Sequence, residues 1–255
     1  MHDLFDLEGT VALVTGGNGG IGLAMAEALA AHGAAVAVAG RDETKNARAA
    51  AVLRGYGREP LVLRGDLAER EVPARLVAAT VAHFGRLDVV VANAGTNIRK
   101  RPEDYTEEEF AHVLEVDLVS VHRLCVAARP HLRASGRGRI LVVGSIMSHL
   151  AAPFNAPYCA AKGGVVQLVR AYATAWAADG IRANAVLPGW IDTDLTRHAR
   201  REVPGLHEKV IARTPVGRWG EPRDLAAVTV FLAGPGADFV TGAAIPVDGG
   251  YLVAA

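Results

Sequence analysis

The chain has 255 residues, of which 51% are hydrophobic, and its 27 Lys and Arg residues balance its 27 Asp and Glu residues. This balance lacks the basic excess typical of a nucleic-acid-binding protein, so we expect a small molecule as the partner. Two cysteines are too few for a disulfide framework and suit a reducing compartment. The first ten residues show no signal-peptide pattern, and no apolar run has the length of a membrane span. We therefore predict a cytoplasmic protein with no nucleic-acid or membrane partner.

Short apolar runs rich in β-branched residues alternate with helical patterns along the whole chain. Such runs are typical of the buried strands of a parallel sheet. The alternation predicts an α/β fold, and the length favours a single domain over residues 1–255. The predicted strands are Thr10–Thr15, Ala34–Gly40, Leu61–Leu63, Leu87–Ala92, Ile140–Gly144, Ile181–Leu187 and Ala243–Val247.

A glycine-rich segment joins the first strand to a helical pattern. It contains Gly16, Asn18, Gly20, Ile21 and Gly22. A strand, a glycine loop and a helix in this order bring bare backbone N–H groups and a helix N-terminus close to a pyrophosphate. The segment therefore predicts a dinucleotide site, although a glycine-rich turn without a ligand is the alternative.

The end of the second strand is where the adenosine ribose of a dinucleotide is expected. An acidic residue about 20 positions after the glycines would bind the 2′-OH of NAD, and Asp42 lies 20 positions beyond Gly22. The strand ends at Gly40, however, and Arg41 follows it, which suits the 2′-phosphate of NADP. We therefore favour NADP(H) over NAD(H), and Asp42 could instead cap a helix over Glu43–Arg54.

Polar residues also follow the third and fourth predicted strands. Asp66 could accept a hydrogen bond from the adenine amino group, or it could cap a helix beginning near Ala68. The small residues of Asn93-Ala94-Gly95 allow a close approach to a cofactor. The next loop, Thr96–Arg101, carries three positive charges, and Arg99 or Arg101 could bind a substrate carboxylate. A solvated loop is the alternative for such a short basic run.

A long helical pattern follows this loop and carries an acidic residue in an apolar setting. Thr106 and Glu109 form a capping-box pattern, and the helix is predicted to reach Leu132. Asp117 lies within it among apolar residues, so its carboxyl group needs partners.

Three residues between positions 145 and 162 form the strongest catalytic pattern of the chain. Tyr158 and Lys162 are four positions apart, so they lie on one face of a helix. An ammonium group beside a tyrosine favours the phenolate and lowers the tyrosine pKa, which would allow proton exchange near neutral pH. Ser145 lies 13 positions before Tyr158 at the end of a predicted strand, where α/β sheets meet their ligands.

The loop after the sixth strand and the polar region that follows it complete the candidate site. The loop begins Pro188-Gly189-Trp190-Ile191 and continues through Asp192 to Thr193. The region over 192–218 is polar and is interrupted by Pro204 and Gly205, which suits a substrate lid.

Taken in order, these motifs resemble the short-chain dehydrogenase/reductase family throughout the chain. The motifs are the glycine loop, Asn93-Ala94-Gly95, Ser145 with Tyr158 and Lys162, and Pro188-Gly189 with Thr193. The resemblance implies a Rossmann-like, doubly wound, seven-stranded parallel sheet with helices on both faces, and a homotetramer or homodimer. It places the cofactor on Gly16, Asn18, Gly20, Ile21, Gly22, Arg41, Asp66, Leu67, Asn93, Ala94, Gly95, Tyr158, Lys162, Pro188, Gly189, Ile191 and Thr193. It implies no metal.

The resemblance also assigns catalytic roles. Tyr158 would be the general acid or base, Lys162 would lower its pKa and hold the nicotinamide ribose, and Ser145 would bind the substrate oxygen. Thr193 would contact the carboxamide of the cofactor. The fourth catalytic position of the family is an asparagine, and this chain has Asp117 there, which departs from the family pattern.

Within the family, three segments are most similar to gluconate 5-dehydrogenases and related sugar-acid dehydrogenases. These are Ile98–Arg101, Asp117 and residues 213–220. The similarity implies hydride transfer between a nicotinamide and a secondary alcohol or ketone, with Arg99, Arg101, Ser145 and Trp190 as substrate contacts. One alternative is a 3-oxoacyl carrier-protein reductase. The other, from a different class, is a non-catalytic cofactor-binding sensor or scaffold, which only Asp117 favours.

Overall fold

Seven parallel strands form the centre of the computed structural model, which describes residues 4–254. The strands are β1 (Val11–Thr15), β2 (Ala35–Gly40), β3 (Leu61–Arg64), β4 (Val89–Ala92), β5 (Arg139–Val143), β6 (Arg182–Pro188) and β7 (Ala244–Val247). They pair in the order β3-β2-β1-β4-β5-β6-β7. The predicted Rossmann-like α/β fold is therefore confirmed.

Helices cover both faces of the sheet. They are α1 (Gly20–Ala31), α2 (Glu43–Arg54), α3 (Val72–Phe84), α4 (Glu107–Leu114), α5 (Ser120–Ser135), α6 (Ala156–Trp176), α7 (Asp194–Glu202), α8 (Leu206–Arg213) and α9 (Ala226–Ala233). Buried side chains of α3, α5 and α6 pack on one face, and those of α1, α2 and α9 pack on the other. Because side chains alternate along a strand, Leu13 of β1 contributes to the first layer and Val14 to the second.

The order of the strands fixes where a ligand can bind. The chain adds β2 and β3 on one side of β1 and then returns to place β4 on the other side. The loops after β1 and β4 therefore diverge and leave a crevice at the carboxyl end of the sheet, which is where open α/β sheets bind their ligands.

Three sequence predictions change in detail. The helix expected near Ala68 begins at Val72, where Pro73 suits a first helical turn, so Asp66 does not cap a helix. The long helix after Thr106 has its capping box, but the π-helical segment Glu115–Val119 separates α4 from α5. The polar region over 192–218 contains two helices, α7 and α8. Within residues 4–254, none of the helices combines the length and apolarity that crossing a bilayer requires.

Candidate active site

A cavity of about 530 Å³ opens at the carboxyl ends of β1, β2, β4 and β5. All of the residues to which the family resemblance assigns the cofactor line this cavity, and so do Ser145 and Asp117. The loops that carry them are far apart in the sequence and meet only because the parallel strands end at one edge. The structure therefore brings together the predicted cofactor site and the predicted catalytic residues.

The glycine loop lies tightly against the loop after β4. Gly16 has a φ of 62°, which favours glycine, and a Cβ at Gly22 would lie 2.2 Å from the Gly16 carbonyl oxygen. The side-chain amide of Asn93 donates to the carbonyl oxygens of Thr15 (3.0 Å) and Gly16 (3.2 Å). Asn93, which follows β4, thus holds the glycine loop against the loop after β4.

The N-terminus of α1 is suited to a phosphate group. The cap residue Gly19 supplies no side-chain hydrogen bond, so no side chain occupies the first N–H groups of the helix. A Cβ at Gly19 would meet no atom within 4 Å, which leaves the space beside the loop open. The bare N–H groups of this turn fit the pyrophosphate of a nicotinamide dinucleotide.

The adenosine corner has two cations and three carboxylates. Arg41 pairs with Asp66 (3.3 Å), and Lys45 pairs with Asp194 of α7 (2.7 Å). Asp42 caps α2 by accepting from the Lys45 backbone N–H (3.0 Å), which is the structural alternative considered for this residue. Asp66 accepts from the Ala68 N–H (3.0 Å). All five side chains belong to residues that line or adjoin the cavity, and Lys45 and Asp194 had not been predicted from the sequence.

Tyr158 and Lys162 lie on one face of α6, and Ser145 faces them from the end of β5. The Lys162 ammonium lies 5.6 Å from the centre of the Tyr158 ring, and Ser145 and Tyr158 both line the cavity. The Ser145 hydroxyl oxygen accepts from the Met147 N–H (3.1 Å), which fixes its position and leaves its proton free to donate. The arrangement can bind and protonate one oxygen atom.

Asp117 is fully buried and completes the surroundings of Lys162. One carboxylate oxygen accepts from the Thr96 N–H (2.7 Å), and the other lies 3.3 Å from the Lys162 ammonium. Lys162 also donates to the Val143 carbonyl oxygen (3.0 Å). An ammonium group has three N–H donors, so at least one remains for a further partner. The π-helical segment places Asp117 at this point.

The pKa of Tyr158 departs from the prediction. Burial raises it above the ordinary value of 10, the Lys162 charge opposes this effect, and the Asp117 carboxylate adds to it. The influence of Lys162 has the predicted sign, but burial outweighs it. Burial also acts to lower the pKa of Lys162, but Asp117 and Tyr158 more than offset this and leave it raised. Burial raises the pKa of Asp117 despite the neighbouring ammonium and the Thr96 N–H.

A second cavity, of about 360 Å³, adjoins the first at Ser145 and Tyr158. Arg99 and Trp190 line it, as predicted for substrate contacts. Arg101 lines neither cavity, and its guanidinium pairs with Glu103 (2.9 Å). The sequence did not distinguish the two arginines as substrate contacts. In the structure Arg99 lines the second cavity and Arg101 does not.

Several lining residues of the second cavity were not predicted from the sequence. They are Asn97, Ile98, Ile146, Met147, Asn155, Leu195, Thr196, His198, Ala199 and Glu202. Five of these belong to α7, which is polar except for Leu195 and Ala199. Asn155 lies three positions before Tyr158, and that proximity was the one available sequence signal.

Known proteins share the whole length of this chain. A family model described as enoyl-(acyl carrier protein) reductase matches residues 16–252. A tropinone reductase homologue of Arabidopsis thaliana is 37% identical over 253 residues, which cover 98% of this chain and 94% of that protein. The 2-dehydro-3-deoxy-D-gluconate 5-dehydrogenase of Bacillus subtilis is 36% identical over 253 residues and 99% and 98% of the two chains.

A solved structure gives the same fold in detail. The gluconate 5-dehydrogenase of Burkholderia cenocepacia, solved in complex with NADP and tartrate, superimposes with a TM-score of 0.93. It is 36% identical and covers 99% of each chain. These relatives are named dehydrogenases or reductases, which favours an enzyme over a non-catalytic sensor. The chain belongs to the short-chain dehydrogenase/reductase family and is an NAD(P)-dependent oxidoreductase that acts on alcohol and ketone groups.

Proposed function

We propose that the enzyme interconverts a secondary alcohol and a ketone on a sugar acid or polyol, in the manner of a gluconate 5-dehydrogenase, and that it prefers NADP(H). The substrate would occupy the 360 Å³ cavity, which shares Ser145 and Tyr158 with the cofactor cavity. The names of the relatives from Bacillus subtilis and Burkholderia cenocepacia support this class.

One observation carries the proposal for an acidic substrate. Of the three basic residues in the loop after β4, Lys100 pairs with Glu109 (2.6 Å) and Arg101 pairs with Glu103 (2.9 Å). Arg99 lines the substrate cavity and forms no ion pair within residues 4–254. Among the described residues that line this cavity, Glu202 is the one carboxylate, and it lies 3.0 Å from the ring of His198. An unpaired guanidinium at the wall suits a substrate carboxylate.

In ketone reduction, Tyr158 would donate its proton to the substrate oxygen while Ser145 donates a hydrogen bond to the same atom. Ser145 is already oriented by the Met147 N–H, so its hydroxyl proton can point to the substrate. In alcohol oxidation the phenolate of Tyr158 would accept the hydroxyl proton. The nicotinamide cofactor supplies or receives the hydride.

Lys162 and Asp117 would set the electrostatics of this proton transfer. The Lys162 charge stabilises the phenolate, and its remaining N–H can bind the cofactor ribose. Asp117 holds the ammonium in place from the opposite side (3.3 Å). We assign Asp117 the role of a positioning residue, since it contacts Lys162 and Thr96 in the place of the family asparagine.

The preference for NADP(H) is proposed from the charges at the adenosine corner. Arg41 lies at the end of β2 and lines the cofactor cavity, and its side chain is 64% exposed and able to move to a phosphate. The carboxylate of Asp42, which would bind the ribose hydroxyls of NAD, is engaged as the cap of α2. The NADP-bound structure of the Burkholderia relative agrees with this choice.

Helices α7 and α8 are proposed as the substrate lid. They share a small apolar cluster formed by Ala199, Leu206, Val210 and Trp219, which would hold them together as one unit. The single domain, the homotetramer or homodimer and the cytoplasmic location stay predictions from the sequence.

The test compares substrates with and without a carboxylate. We expect Arg99→Ala to raise KM for a keto-gluconate by about 10- to 100-fold, the effect of one charged hydrogen bond. KM for an uncharged polyol ketone should stay unchanged. Arg101→Ala is the matched control, because that arginine lies in the same loop but outside the cavity. Faster turnover of a 3-oxoacyl thioester than of any sugar acid would instead establish the carrier-protein reductase.

A further inference from the structure

Residues that line the substrate cavity carry neutral polar groups without a hydrogen-bond partner in the part of the chain that the structure describes. Among residues 4–254, four neutral side-chain atoms are buried without a hydrogen bond, namely Asn97 Oδ1, Asn155 Oδ1, Trp190 Nε1 and Trp219 Nε1. Three of these four belong to residues that line the 360 Å³ cavity. A buried polar group without a partner is unfavourable, so native proteins seldom retain one unless a ligand or water completes it.

Asn155 is the clearest of the three. It occupies the N-cap position of α6, where an asparagine side chain ordinarily accepts from the first turn of the helix. Here its side chain makes no cap hydrogen bond, although the residue is only 4% exposed. The carboxamide thus does not cap the helix. Asn155 lines the substrate cavity and lies three residues before Tyr158.

Resting on the proposed function, we infer that Asn155, Asn97 and Trp190 recognise hydroxyl groups of the substrate. A hydroxyl both donates and accepts, so it satisfies a carboxamide in either of its orientations and also accepts from an indole N–H. Arg99 would bind the carboxylate of the substrate, and these three residues would bind its hydroxyl groups. An alkyl or acyl chain in the same place would leave all three groups unsatisfied.

This arrangement makes the enzyme selective against deoxygenated ketones. A site built to hydrogen-bond a substrate hydroxyl rejects an analogue that lacks it far more strongly than an apolar pocket rejects an extra methylene. The apolar residues of the cavity, such as Met147 and Leu195, still contact the carbon skeleton. The enzyme should therefore discriminate between ketones by their hydroxyl groups and not by the length of their carbon chain.

Four six-carbon ketones separate this inference from the proposed function. 5-Keto-gluconate has a carboxylate and hydroxyl groups, fructose has only hydroxyl groups, 5-oxohexanoate has only a carboxylate, and 2-hexanone has neither. We expect kcat/KM of the unaltered enzyme to fall at least about 100-fold when the hydroxyl groups are removed. Equal kcat/KM values for the hydroxylated and deoxygenated ketones, or higher values for the deoxygenated ones, would overturn the inference. A preference for the hydroxylated ketones regardless of the carboxylate would overturn only the sugar-acid assignment.

The variants Asn155→Ala and Asn97→Ala assign the effect to residues. Each should lower kcat/KM for the two hydroxylated ketones by about tenfold or more, as expected for one lost hydrogen bond, and leave the two deoxygenated ketones unchanged. NADPH affinity, measured by cofactor fluorescence, and the melting temperature report whether each variant keeps its fold. Equal losses on all four ketones, or no loss on any, in the variants that keep NADPH affinity would refute hydroxyl recognition by these residues.

Discussion

The buried pair of Asp117 and Lys162 gives the sharpest prediction for the catalytic residues. The perturbation is Asp117→Asn, which removes the charge but keeps an oxygen for the Thr96 N–H. At 3.3 Å and an effective dielectric constant of about 20, the lost attraction to Lys162 is about 5 kcal/mol. The cost of burying the carboxylate, several kcal/mol, is lost with it. Because burial raises the pKa of Asp117 despite these contacts, the burial cost is the larger of the two, and Asp117→Asn should not lower the stability of the fold.

Activity should change through the pH profile. The Asp117 carboxylate raises the pKa of Tyr158, so its removal should lower that pKa. Alcohol oxidation needs the phenolate and increases with pH through the Tyr158 pKa, whereas ketone reduction needs the protonated form and decreases through it. The pH profiles of alcohol oxidation and of ketone reduction should therefore both move to lower pH in Asp117→Asn.

The assay is kcat against pH in both directions, together with thermal unfolding. The melting temperature should not fall, and a decrease of about 4–8 °C, which corresponds to a loss of about 2 kcal/mol for a chain of this size, would contradict this balance. Glu115→Gln is the matched control, because Glu115 belongs to the same π-helical segment but pairs with the half-buried Arg123. An unshifted profile, or one displaced to higher pH, would mean that Asp117 does not set the pKa of Tyr158.

Four further changes follow from the site and the core. Tyr158→Phe should lower kcat by about 10²- to 10⁴-fold in steady-state assays with NADPH affinity retained, and unchanged turnover would remove Tyr158 from the proton transfer. Arg41→Ala should weaken NADPH about tenfold or more in fluorescence titrations and leave NADH nearly unchanged, whereas equal effects would return the ribose contact to Asp42. Gly22→Ala would place a Cβ 2.2 Å from the Gly16 carbonyl oxygen, so calorimetry should detect no cofactor binding. Wild-type affinity in this variant would contradict the packing of the loop. Burial raises the pKa of Cys125 to about 12, so a Cys159→Ser variant should show no reactive thiol with a thiol reagent at pH 8 until it is denatured.

Local patterns were sufficient to predict the sheet and the centre of the site. Buried strands of a parallel sheet are apolar on both faces, so β1 and β5 were visible as continuous apolar runs. The spacing of Tyr158 and Lys162 is a property of one helix and needed no tertiary information. Glycines such as Gly22 mark close backbone approaches, which a sequence reports directly.

Features that depend on tertiary contacts were not predictable in this way. Arg99 lines the cavity proposed for the substrate, whereas Arg101 pairs with the neighbouring carboxylate of Glu103, and the sequence does not show this difference. The sign of the Tyr158 pKa shift depends on how deeply the ring is buried, and no spacing encodes that. Asn155 occupies the N-cap position of α6, where asparagine is common, and only its unpartnered oxygen distinguishes it from an ordinary cap.

The charges of the site are divided into two groups with different tasks. Asp117 and Lys162 neutralise each other in the interior, so a carboxylate where the family has an asparagine adds no uncompensated charge beside the transferred proton. Arg99, which forms no ion pair within residues 4–254, lines the cavity proposed for the substrate, and an acidic substrate would be drawn to it and away from the carboxylate of Asp117. Exchanging Asp117 for asparagine should therefore change the pH profile of catalysis without changing the preference for an acid, whereas Arg99→Ala should do the reverse. A substitution that altered both properties together would show that the two groups are coupled through the substrate.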